Sequence, residues 1–223
     1  MGLTVEVGIL ADLRQVDAEG FAEYREQFEA INAALRAEGR PEHREPEDLG
    51  ERGPWFCDMQ GYGPLRQLRR LAAWVWAGRG LPAPGTVQTT GDTALIEMCC
   101  ARELDEASPD QAAHLICHGD AEGVYLPVPF RDVIDPRADL GLTGGAIGSA
   151  YTLREECRHI AALLRLPLDE GVVWEGEARW APPRRTADRG ALWAAYAAES
   201  RACWLLHNAC LVSITTGCAI VFS

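Results

Sequence analysis

Residues 190–222, GALWAAYAAESRACWLLHNACLVSITTGCAIVF, decide the fold class. Trp193, Tyr196, Cys203, Leu206 and Cys210 recur at helical spacing, which predicts a helix over 190–214. From Ala202 onward the pattern is apolar nearly all round, as expected of a helix central to a core. Thr216 and Gly217 stop it, and 218–222 reads as a strand. A buried helix that runs directly into a terminal strand calls for a sheet with helices packed on it.

The same alternation extends through the chain. The β-branched run at 3–10 predicts a strand. Asp17 reads as an N-cap, and Phe21, Tyr24, Phe28, Ile31, Ala34 and Leu35 give an amphipathic helix ending near Gly39. Leu65, Leu68, Leu71, Ala72 and Val75 mark a helix over 65–77 with Arg66, Arg69 and Arg70 outward. Residues 93–104 lean toward helix. Runs at 115–117 and 124–128 read as two strands of a hairpin around the polar turn 118–123, the second an edge strand or one that leaves the sheet because of Pro127 and Pro129. A Gly-rich loop ends at Ser149, followed by a helix over 150–166 with Leu153, Cys157, Ile160, Leu163 and Leu164 as its stripe. A short strand fits 172–174. Long loops fall at about 40–64, 78–92 and 167–188. The expectation is an α+β or α/β chain forming one domain over 1–223, with about four or five strands and four or five helices packed on the sheet.

Composition narrows the chemistry. The chain has 223 residues and is 48% hydrophobic, enough for a sizeable core without metal or disulfide staples. All 21 basic residues are Arg, which excludes a P-loop lysine, a Schiff-base lysine and a Ser–Lys dyad. Acidic residues number 33, giving a net charge of −12, unsuited to nucleic acid or anionic membranes and suited to a basic protein partner. None of the 8 cysteines forms a C-x-x-C pair. Their apolar surroundings predict buried free thiols in a reducing cytoplasm. No run reaches the length of a membrane span, and the opening residues do not read as a secretory signal.

Three constellations could carry chemistry. His118, Asp120 and Glu122 place three proton-transfer or ligating groups around one turn, a candidate catalytic set or the start of a metal site. Tyr125 follows closely as a phenolic donor. Gly144, Gly145 and Ser149 precede a helix start, a candidate cradle for an anion. His43 and Glu45, in the long loop, could join a pocket with the 118–123 turn. His114 and His118 have the spacing of a zinc-protease pair, but Leu115 stands where the catalytic Glu is needed. No cofactor is expected, a divalent metal being the open alternative.

The segments PEHREPEDL at 41–49, YGPLRQLRRLAA at 62–73, HGDAEGVYLPVPF at 118–130 and GGAIGSAYTLREECRHIA at 144–161 resemble a family of cytosolic bacterial proteins of uncharacterised activity. Its pattern carries an HSDxEGYYLPVPF-like hairpin, with Ser where this chain has Gly119 and Tyr where it has Val124. It also has a GGxxGSS-like helix start, and commonly a His near Arg66 or Gln67. The resemblance implies homology along the chain and supplies no mechanism. The absence of Lys and of any complete catalytic motif makes the expected function a non-enzymatic module of the immunity or accessory type, binding a small anionic ligand or a basic protein. The alternatives are a hydrolase-like, metal-assisted enzyme using His118, Asp120 and Glu122, or a scaffold component of a biosynthetic pathway.

Overall fold

The computed structural model describes residues 2–85, 94, 113–117, 123–135, 145–168, 174 and 192–223. Among the described residues five strands form one mixed sheet: β1 (Thr4–Val7), β2 (Trp55–Asp58), β3 (Val124–Leu126), β4 (Ile147–Ser149) and β5 (Ile220–Phe222). Their order is β2-β1-β5-β3-β4. β1 runs antiparallel to β2 and β5, β5 antiparallel to β3, and β3 parallel to β4. Six α-helices accompany them among the described residues: α1 (Ile9–Val16), α2 (Ala18–Ala37), α3 (Tyr62–Trp76), α4 (Ala113–Cys117), α5 (Ala150–Leu164) and α6 (Ala197–Thr216). The α+β expectation holds.

Strand alternation divides the core into two layers. Val5, Val7, Trp55, Cys57, Tyr125, Ile220 and Phe222 face α3, α5 and α6 in the larger cluster. Leu126, Ile147, Ala219 and Val221 face the other way, onto Ile9, Leu10, Phe28, Ile31 and Leu35 of α1 and α2. α6 is the buried helix that 190–222 called for: Leu206 and Cys210 are buried, as are Ile220 and Phe222 beyond it. It begins at Ala197 rather than at 190, after a turn over 193–196. Cys57, Cys157, Cys203, Cys210 and Cys218 are buried free thiols.

Several expectations need correction. The run at 3–10 is not one strand, because Gly8 lies in the left-handed region at φ 99° and turns the chain straight into α1. A Cβ there would also sit 2.7 Å from Leu49 Cδ1. The apolar residues Ile9, Leu10 and Ala11 are buried by a helix instead. Segment 40–64 contains the edge strand β2, with alternating buried Trp55 and Cys57 and exposed Phe56 and Asp58. The strand expected at 115–117 is helix α4, so the hairpin does not form. β3 pairs with β5 and β4, lies inside the sheet, and ends at Leu126 before Pro127. Of the 93–104 and 172–174 readings, only Ala94 and Trp174 lie within the described residues.

α4 depends on a distant residue. The Glu156 carboxylate of α5 accepts from His114 N at 3.1 Å and from Leu115 N at 2.7 Å, occupying amides at the start of α4. Leu115 lies 41 residues before Glu156, so no local signal announces this cap.

Candidate functional site

α2 carries the most acidic surface among the described elements. Asp17 caps it, its carboxylate accepting from Glu19 N and Gly20 N. Phe28, Ile31, Ala34 and Leu35 are buried against the sheet. At 100° per residue, Glu19, Glu26 and Glu29 fall on the opposite side, with Glu23 at its margin. All four are exposed. Their carboxylates make no hydrogen bond or ion pair. Ala22, Ala30 and Ala33 fill the positions between them, so no bulky side chain covers the row.

The two arginines of α2 are turned toward other acids. Arg25 Nε lies 3.7 Å from Glu47 Oε1, and its guanidinium sits 5.9 Å from the centre of the Phe21 ring. Arg36 Nη1 donates to Glu42 Oε1 at 2.8 Å. Both partners belong to the segment that follows α2 and runs back along it.

His43 and Glu45 anchor that segment. Asn32 of α2 brackets the backbone of His43, accepting from His43 N at 2.7 Å and donating to His43 O at 2.8 Å. The His43 ring tilts over Phe28, and its Nε2 lies 2.6 Å from Glu45 Oε2. Ala219 N donates to the same oxygen at 2.7 Å. Burial pushes the Glu45 carboxyl above its ordinary range, an effect opposed by His43 and by the Ala219 amide. Cys218 also interacts with Glu45, and its thiol is pushed up to about 12, chiefly by burial. The pair thus joins α2 to the corner between α6 and β5.

Beneath α1 and α2, Glu6 of β1 is half-buried. Burial, then the nearby charge of Asp12, raises its pKa to about 7. Tyr24 of α2 is raised as well, by burial and then by Glu6.

A sequence-family model described as "Putative DNA-mimic protein" matches residues 1–222. The chain belongs to that family. Comparison with curated proteins and with solved structures returned no match. The DNA-mimic assignment overturns the expectation of a small anionic ligand, since a surface that imitates DNA is itself the anion. It redirects the expected basic partner to DNA-binding proteins and is compatible with a non-enzymatic binding module.

The residues singled out from sequence that lie among the described residues are found in separate places. His118, Asp120, Glu122 and Gly144 lie outside the described residues. His43 and Glu45 meet each other on the α2 side of the sheet. Tyr125 lies in the opposite core layer, where its hydroxyl donates to His114 O at 2.8 Å and burial pushes its pKa well up. Ser149 caps α5 as expected, accepting from Thr152 N. Its remaining groups face inward: the hydroxyl donates to Val128 O at 2.7 Å, and the amide donates to His114 Nδ1 at 3.0 Å. With Nδ1 accepting, His114 Nε2 must carry the proton that meets Arg131 O at 2.9 Å, so this buried histidine is neutral. Gly145, with φ 70°, leads into β4.

Among the described residues, no group of three or more His, Cys, Asp or Glu could hold a metal ion. Nor is any described helix long and apolar enough to cross a membrane. Sequence reasoning used α2 for its apolar stripe and overlooked the acids opposite. Their signal was present: Glu at 19, 23, 26 and 29 keeps three- and four-residue spacing throughout.

Proposed function

We propose that this protein is a DNA mimic that presents the acidic face of α2 to the phosphate-binding surface of a DNA-binding protein. The row of four unpaired carboxylates, Glu19, Glu23, Glu26 and Glu29, carries this reading. With about 1.5 Å of rise per residue, successive carboxylates stand about 5 Å apart along the axis. One strand of duplex DNA places a phosphate about every 3.4 Å of axis. The row is thus sparser than DNA but has the same sign and direction. Carboxylates accept paired hydrogen bonds from Arg, as phosphates do. The alanines between them provide no counterpart to base edges, so the imitation is of the backbone, which positions proteins without specifying sequence. The net charge of −12 adds long-range steering of a basic partner. A partner of this kind supports a cytoplasmic site of action.

Competition provides the test. The chain is immobilised, exposed to extract of its own cells, and the retained proteins are challenged with duplex DNA at fixed ionic strength. Duplex DNA should release them, and a Glu23→Gln/Glu26→Gln/Glu29→Gln variant should retain them less. Retention that DNA leaves untouched, or that the triple variant preserves in full, would refute the reading.

A further inference from the structure

The segment after α2 bears on how that acidic face presents itself. Its contacts retrace the helix in reverse order: Glu42 with Arg36, His43 with Asn32 and Phe28, Glu47 with Arg25. The anchor at its centre is buried, with His43 and Glu45 tied to Asn32 and Ala219, whereas the two ion pairs at its ends are exposed. The exposed pairs are too weak to hold the segment in place. Their effect is on charge. Arg25 stands four residues before Glu29 on the helix surface, the spacing at which a guanidinium pairs with a carboxylate. Glu47 draws it away from Glu29, and Glu29 is left without a partner. Glu42 engages Arg36 in the same manner one end further on.

We propose that residues 42–47 act as a charge mask, neutralising Arg25 and Arg36 so that α2 shows an unbroken negative face to its partner, with Asn32, His43 and Glu45 as the positioning residues. This rests on the DNA-mimic reading of α2, and it makes Glu42 and Glu47 determinants of specificity even though neither belongs to the carboxylate row. Removing their charges would expose two guanidinium groups beside the row, repelling the Arg and Lys of a DNA-binding surface and giving Glu29 an internal partner.

The test compares variants matched in charge, using a labelled octa-arginine peptide at low ionic strength as probe and thermal melting to verify folding. Glu42→Gln/Glu47→Gln removes the mask. Glu38→Gln/Asp48→Asn removes the same number of charges from exposed acids that pair with neither arginine. The mask variant should lose roughly two- to fivefold more affinity than the control, the range set by one exposed ion pair. Adding Arg25→Gln/Arg36→Gln to the mask variant returns the net charge to −12 and should restore affinity, which a merely structural role for Glu42 and Glu47 would not allow. Equal losses in the two double variants, or no recovery with the arginines removed, would overturn the mask. If these comparisons hold while the wild-type chain fails to compete with duplex DNA, the DNA-mimic reading falls and the mask stands.

Discussion

Replacing Glu23 and Glu26 with Gln should make this protein more stable while weakening its grip on a basic partner. The two substitutions remove three like-charge neighbours at helical spacing: Glu19 with Glu23, Glu23 with Glu26, and Glu26 with Glu29. All are exposed and none is compensated by a partner. Each such pair destabilises a helix by about 0.2–0.5 kcal/mol, so the gain is roughly 0.6–1.5 kcal/mol. Gln and Glu have similar helix propensity, and both positions lie beyond the first turn of α2, where the macrodipole would favour a carboxylate. For a chain of this size the gain corresponds to a rise in Tm of about 1–6 °C. Circular dichroism melts at low salt measure it. In 1 M NaCl the screening length falls to about 3 Å, and the difference between variant and wild type should shrink toward zero. A variant that melts at or below the wild-type temperature at low salt would show that the row is not self-repelling. The argument that its free energy is held for a partner would then fail.

Three further outcomes follow from the interior. Gly148→Ala would drive a Cβ into the Tyr125 ring, with His114 Nδ1 only 3.2 Å away, and should cost about 1–3 kcal/mol; an unchanged urea midpoint would show that β3 and β4 can separate freely. Glu156→Gln keeps one acceptor oxygen where two amides need one each, so it should cost about 1–3 kcal/mol and speed amide exchange at His114 and Leu115 before the rest of the core; uniform exchange would argue against the cap. Glu6 has its folded pKa raised from 4.5 to about 7, so the native state holds its proton more tightly than the unfolded chain. Its contribution is neutral at low pH, grows unfavourable as pH rises from about 4.5 to 7, and then levels off. Glu6→Gln should therefore raise Tm more at pH 8 than at pH 4, and an equal effect at both would refute the assignment.

Local signals in the sequence were read correctly where a single element supplies both its pattern and its boundary. Asp17 caps α2 and Ser149 caps α5 through hydrogen bonds two and three residues away, and the apolar stripes lie where their spacing puts them except at Leu163 of α5, which is exposed. Failures fall where the deciding partner is remote or the local pattern is ambiguous. The run HLIC favours a strand by composition, whereas in the structure the remote Glu156 carboxylate accepts from the amides of His114 and Leu115 at the start of a helix. Trp55–Asp58 alternates as a strand should, but it is short and sits among Gly and Pro, and pairing with β1 defines it.

By itself the sequence determined a sheet with helices packed on it, α+β or α/β, the central place of α6, and a strong negative charge carried without any lysine, because periodicity and composition belong to the chain. The tertiary structure decided which charges are free to act. Glu23, Glu26, Glu29, Glu42, Glu45 and Glu47 look alike within a short stretch of sequence. Three stand unpaired on the outer side of α2, two are matched to arginines, and one is buried with His43. Electrostatic interaction depends on distance and on exposure to water, and both are set by the return of the chain along α2 rather than by residue type.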